Sequence, residues 1–114
     1  MINLRVDEAY AFDYLSILEI KKKNSQKDYD NYINACNFIS NQIGNDLFKT
    51  IIQSVYYENL IETNTHIYHL IDLIRNDEIQ LDAKIIDQAN TDRYSQKKSL
   101  QHVFFKTDLF ELKT

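Results

Sequence analysis

Apolar side chains recur along this chain at the three-to-four-residue spacing that lays a stripe on one face of a helix. The lead-in, MINLRV, alternates apolar and polar residues and suits a short extended segment. Asp7 stands where it can cap a first helix over roughly 8–23, with Ala11, Leu15, Ile17 and Leu18 expected to face inward. Lys23-Asn24-Ser25-Gln26-Lys27-Asp28 forms the first turn, with Ser25 and Asp28 at capping-box spacing. Helix two comes next, with a regular stripe of Tyr29, Tyr32, Ile33, Cys36, Ile39, Ser40 and Ile43. Asn31, Asn34, Asn37 and Asn41 lie largely off it.

Gly44 is expected to stop helix two in a left-handed backbone, and Asn45-Asp46 to cap the next helical run. From Leu47 to about Arg75 there is no breaker. The run reads either as one helix of about 30 residues, about 45 Å long, or as one kinked near Ser54–Tyr57. Asn76-Asp77-Glu78 ends it. Leu81 and Ile86 then have the spacing of a hydrophobic staple around Asp82, opening a fourth helix over roughly 83–105. The tail, KTDLFELKT, is short enough to lie back along the helices or to pair with MINLRV. The fold expected is all-α: an antiparallel four-helix bundle with two long C-terminal helices, residues 1–114 forming one domain.

Composition agrees with that architecture. The 114 residues include no proline and one glycine, where average usage gives about seven or eight glycines and about five or six prolines. Turn-rich β folds need both residues at their corners, and Gly-rich phosphate loops need several glycines at fixed spacing, so both are excluded. A bias toward Asn, Ile and Lys also fits an AT-rich genome. The net charge of −4 speaks against a broad positive surface for nucleic acid or acidic membrane. Lys21-Lys22-Lys23, the one basic run, sits where a helix ends and cations favour its dipole. No stretch approaches the roughly 20 apolar residues of a membrane span, and the start does not resemble a signal peptide. A single cysteine, Cys36, excludes an internal disulfide, suits a reducing compartment and reads as a buried small residue. A cytoplasmic protein without a cofactor is expected.

Candidate chemistry concentrates in the last two helices. Asn64, Tyr68, Asp72 and Arg75 form one polar stripe; Asn90, Arg93, Lys97 and Gln101 form another, flanked by Ile86, Leu100 and Phe104. Antiparallel pairing about residues 79–80 brings Asn64 and Tyr68 opposite Arg93, and Glu58 and Glu62 toward Lys97, Lys98 and His102. Such stripes make either a satisfied polar network that fixes register or a pocket for a small anion held by Arg93 and Lys97. Glu62, His66, His69 and Asp72 have a spacing that can hold zinc or iron, with His102 opposite. A second Glu-x-x-His on a partner helix is missing, so no metal is expected. The acidic clusters of all-helical nucleotide pyrophosphatases are also missing, since Glu58 and Glu62 stand alone. The aromatics at Tyr56-Tyr57 and Phe104-Phe105 lack the positive charge of a base-stacking platform and read as core or as the seam of a homodimer.

Four stretches carry a resemblance to a family. Ser16-Ile17-Leu18-Glu19-Ile20-Lys21 after Asp13-x-Leu15 resembles the D-K-L-T-I-L-E-I-K opening of an uncharacterised family of small bacterial helical proteins. Glu62-x-Asn64-x2-Ile67-Tyr68-x3-Asp72-x-Ile74-Arg75 is similar to its E-x-N-x2-L-W-x-I-E-D-x-I-R. Asn90-x2-Arg93-x3-Lys97-x2-Leu100-Gln101 is similar to its N-D-x-R-x3-K-x2-I-N, and Phe110-Glu111-Leu112-Lys113 to its closing E-V-K. The sequence departs from the pattern at Tyr14, Tyr68 and Ile71, where the family has Lys, Trp and Glu, and His66 and His69 fall between matched positions. The resemblance implies that both polar stripes belong to a family pattern and that the protein is bacterial. It brings an occasional association with surface-sugar biosynthesis but no established activity.

The function expected is a non-catalytic helical binding or assembly module with a structural polar seam. The alternative is a small-molecule protein or enzyme for an anionic, phosphorylated or sugar ligand. In it Arg93 and Lys97 hold the anion, Asn64, Asp72 and Asn90 orient hydroxyls, and Tyr68 and Arg75 complete the site. The expected partners are a second copy of the chain and a small anion, with no nucleic acid and no membrane.

Overall fold

A computed structural model of the chain describes residues 2, 6–76 and 83–106. These residues form five helices and no strand: α1 (Glu8–Lys21), α2 (Gln26–Ile43), α3 (Asn45–Ile52), α4 (Val55–Arg75) and α5 (Ala83–Phe104). None of these helices is long and apolar enough to cross a membrane. The Leu81 staple, the tail beyond Lys106 and its pairing with MINLRV lie outside the described residues.

Five helices stand where the pattern predicts four, because the unbroken run after Gly44 divides at Gln53–Ser54. Ser54 turns to extended backbone, and its hydroxyl serves both neighbours. It donates to the Ile51 carbonyl at the end of α3 and accepts the Tyr57 N–H at 3.3 Å at the start of α4. A serine side chain thus ends one helix and caps the next with no glycine or proline present.

The other corners keep closer to the sequence pattern. Ser25 accepts the Asp28 N–H at 3.1 Å, as its capping spacing predicts. Gly44 has the expected positive φ of 96°, but with ψ 147° it is extended rather than left-handed helical, a region that is essentially glycine's own. It is itself the residue shared by the end of α2 and the start of α3, so Asn45 and Asp46 are already helical and cap nothing.

Helix α1 occupies the middle of the structure, packed against α2, α4 and α5, while α4 also packs on α5 and α3 joins α2 to α4. This changes which face is buried. Of Ala11, Leu15, Ile17 and Leu18, only Leu15 is fully enclosed; the buried stripe is Ala9, Phe12, Asp13 and Ser16. Around it Leu15, Ile39, Phe48, Ile51, Tyr57, Leu60 and Leu100 complete one apolar core. Phe12 lies between Phe48, at 6.1 Å between ring centres, and the edge of Tyr57, at 6.3 Å. Tyr56 near the start of α4 meets Phe104 at the end of α5 edge-on, 5.9 Å away.

Candidate functional site

The polar residues buried with that core form a network on α1. Asp13, only 3 % exposed, receives the Nε and Nη2 edge of Arg93 from α5, with Nη2 2.6 Å from Oδ2. The Asn64 amide nitrogen from α4 donates to Asp13 Oδ1 at 2.9 Å and to Ser16 Oγ at 2.8 Å. The Ser16 hydroxyl donates a hydrogen bond to the Asp13 backbone carbonyl one turn earlier, at 2.6 Å, which leaves its oxygen lone pairs for Asn64. Three helices are tied at one carboxylate.

The rest of the α5 stripe also runs along α1. Buried Lys97 sets its ammonium 4.1 Å from the centre of the Tyr10 ring, a cation–π contact out of water. Gln101, 1 % exposed, accepts the Ala9 N–H at 2.9 Å and donates to Glu8 at 2.9 Å. That bond supplies the first turn of α1 with an acceptor from α5. The Asp7 side chain, at the N-cap position, makes no capping bond.

Beside the Asp13 network opens a cleft of about 480 Å³, within the range of small-molecule sites. Its lining has three cations, Lys21, Arg75 and Arg93; two polar groups, Asn64 and Tyr68; and the side chains of Ile17, Ile67 and Ile71. No carboxylate, histidine, serine or cysteine is among these lining residues. Lys21 lies 5.5 Å from the centre of the Tyr68 ring, and the Tyr68 hydroxyl raises the Lys21 ammonium above its ordinary pKa. Lys21 and Arg75 form no ion pair among the described residues. Arg93 pairs with Asp13 through one edge only, so Nη1 takes no part in that bond. Asn64 spends its amide nitrogen inside the network, while its Oδ1 takes no hydrogen bond from the described residues.

A separate cluster joins α1, α2 and α4 away from the cleft. Tyr32 and Tyr57 both donate to Glu19 Oε1, at 2.9 and 3.3 Å. Burial and the adjacent Glu19 carboxylate push both phenols well above their ordinary pKa. Cys36 neighbours Tyr32, and burial raises its thiol, so it is not an activated nucleophile. On the outer side of α1 and α2 lies a mostly apolar groove of about 680 Å³, bordered by Ala11, Ile39 and the exposed Tyr14 and Phe38.

Of the seven residues that the polar stripes nominate, Asn64, Tyr68, Arg75 and Arg93 meet in the cleft and Asp72, Asn90 and Lys97 do not. Asp72 is exposed, Asn90 is half-buried on α5, and Lys97 lies in the seam with Tyr10. The two stripes meet at Asp13 of α1, where Asn64 and Arg93 share one carboxylate. Helix α1 also supplies Ser16 and Lys21, so three of the residues at the site come from outside the last two helices. The signal in the sequence is a charge and a hydroxyl at the i and i+3 positions in the largely apolar middle of α1. Glu62, His66, His69 and Asp72 are exposed, and no group of three His, Cys, Asp or Glu placed to hold a metal occurs among the described residues. Helical spacing sets them on neighbouring turns, but a cage needs donors from a second element.

No family model, curated protein or solved structure matches the chain.

Proposed function

We propose that the protein is a non-catalytic binding module whose buried polar seam is structural and whose adjoining cleft holds a small anionic ligand. The observation that carries this reading is the cleft itself: three cations from three helices border one concavity, with no lining carboxylate, in a chain of net charge −4. Lys97, which belongs to the buried seam, is replaced in the anion-binding role by Lys21 and Arg75. The absence of a nucleophile–base pair among the lining residues supports binding over catalysis.

The same reading places the chain with the uncharacterised bacterial family it resembles. Every lining residue falls within three of the four stretches that carry the resemblance, 13–21, 62–75 and 90–101. It takes the described helices as an antiparallel bundle in which α4 and α5 are the long pair. Tyr56 on Phe104 at one end, with Asn64 and Arg93 sharing Asp13 farther along, supports that pairing. It also keeps the protein cytoplasmic, on the ground of its lone free cysteine, and homodimeric, on the ground of Tyr14 and Phe38 outside the core.

The test is thermal unfolding with inorganic phosphate, sugar phosphates and nucleotides. A ligand at about a hundred times its Kd adds about 2.7 kcal/mol of stability, a shift of many degrees for a domain of this size. Lys21→Met and Arg75→Met should each reduce that shift. No stabilisation by any of these anions overturns the ligand reading and leaves the seam as structure alone.

A further inference from the structure

We infer that the cleft is built for a dianion of the phosphate-monoester type, met by Lys21 and Arg75, with Arg93 held beside them as a fixed neighbour. The inference rests on reading the cleft as a ligand site and adds the class of ligand. The charge inventory decides it. Arg93 is already matched by Asp13, whereas Lys21 and Arg75 have no ion-pair partner among the described residues, so at the cleft these two positive charges are unpaired within that set. Asp28 lies near enough to act on Lys21, and Asp72 stands one turn before Arg75, but neither lines the cleft or pairs with them. A dianion balances this pair; a monoanion leaves one cation unmatched.

Donor chemistry points the same way. The Nε–Nη2 edge of Arg93 is spent on Asp13, so Arg93 offers the cleft at most its Nη1 end, whereas the guanidinium of Arg75 has no ion-pair partner among the described residues. An ammonium and a free guanidinium together offer donors to three terminal oxygens, as a phosphoryl group presents. Next to them, Asn64 Oδ1 has acceptor capacity for a hydroxyl, and Ile17, Ile67 and Ile71 offer cover for a carbon skeleton. The ligand so described is a small, phosphorylated, hydroxyl-bearing molecule.

Two esters on one skeleton test this by calorimetric titration of the full chain at about pH 8, above the second phosphate pKa of about 6. Glucose 6-phosphate carries two negative charges there and glucose 6-sulfate one. The phosphate ester should bind at least about tenfold more tightly, the effect of one added charge at contact distance in a partly desolvated site. Lys21→Met and Arg75→Met should each abolish that preference while melting near the parent temperature. Inorganic phosphate binding as tightly as the ester assigns the site to the free ion and overturns the monoester class. Equal affinity for the two esters overturns the dianion assignment but leaves an anion site. No binding of either ester or of inorganic phosphate at millimolar concentration overturns both.

Discussion

Arg93 on α5 holds Asp13 on α1 along one edge of its guanidinium, with Nε 3.0 Å from both carboxylate oxygens and Nη2 2.6 Å from one of them. Eighty positions separate the two residues, and Asn64 from α4 closes on the same carboxylate. The pair therefore joins the opening of the chain to its last described helix, next to the cleft.

Breaking the pair from one side should be costly. Arg93→Met leaves Asp13 buried without its counter-charge, a loss of about 2–4 kcal/mol; the 26 % exposure of Arg93 keeps it toward the low end of buried pairs. Replacing both partners, Asp13→Leu with Arg93→Met, should recover at least half of that loss, because no unpaired charge remains. Urea unfolding of the two single variants and the double variant measures it; simply additive losses would show that the pair is not coupled.

Gln101 should act as a cap delivered from a distance. Gln101→Ala removes the acceptor from the Ala9 N–H and the donor from Glu8, at a cost of about 1–2 kcal/mol. Amide exchange at Ala9 should quicken more than exchange in the middle of α1. Unchanged protection at Ala9 would mean that the bond does not govern the start of the helix.

Gly44→Ala isolates a backbone effect. A methyl group there meets nothing within 4 Å, so any loss comes from the 96° φ alone. About 1–3 kcal/mol is expected, read as a fall in melting temperature with the ellipticity of the folded state preserved. A neutral substitution would mean the corner relaxes to an ordinary conformation.

The Glu19 cluster sets the alkaline limit of stability. Tyr32 and Tyr57 have raised pKa values in the folded chain, so when pH passes the unfolded phenol value of about 10 the unfolded state loses protons first. Stability is full below that pH and falls above it. Tyr57→Phe should flatten the decline between about pH 10 and 11, at the cost of one hydrogen bond near neutrality, about 1 kcal/mol. Chemical unfolding at a series of pH values reads both effects.

Much of this molecule is legible in the order of its residues. Scarce turn residues and helical spacing imply an all-α chain, Ser25 marks a cap, Gly44 marks a corner, and the positions of Asn64, Tyr68, Arg75 and Arg93 point to a polar face. These are local properties: backbone preference, capping chemistry and side-chain period act within a few residues. The division at Ser54 is less visible, because a serine within a helical pattern looks the same whether its hydroxyl bonds backwards within one helix or caps the next.

Tertiary structure alone decided what the polar stripes meet. Spacing places Arg93, Lys97 and Gln101 on one face of α5, but only packing shows that this face runs along α1, with Asp13, Tyr10 and Ala9 as the groups it reaches. Asp13 and Ser16 look like solvent-facing residues until α4 and α5 cover them. Their burial then becomes tolerable because the covering helices bring the matching charge and amide. Lys21 looks like the end of a helix, and is one, yet the fold also sets it on the rim of a cleft with Arg75 from a helix more than fifty residues later. Sequence determines which side chains share a helix face; the three-dimensional packing of those faces determines which charges are cancelled and which are left for a ligand.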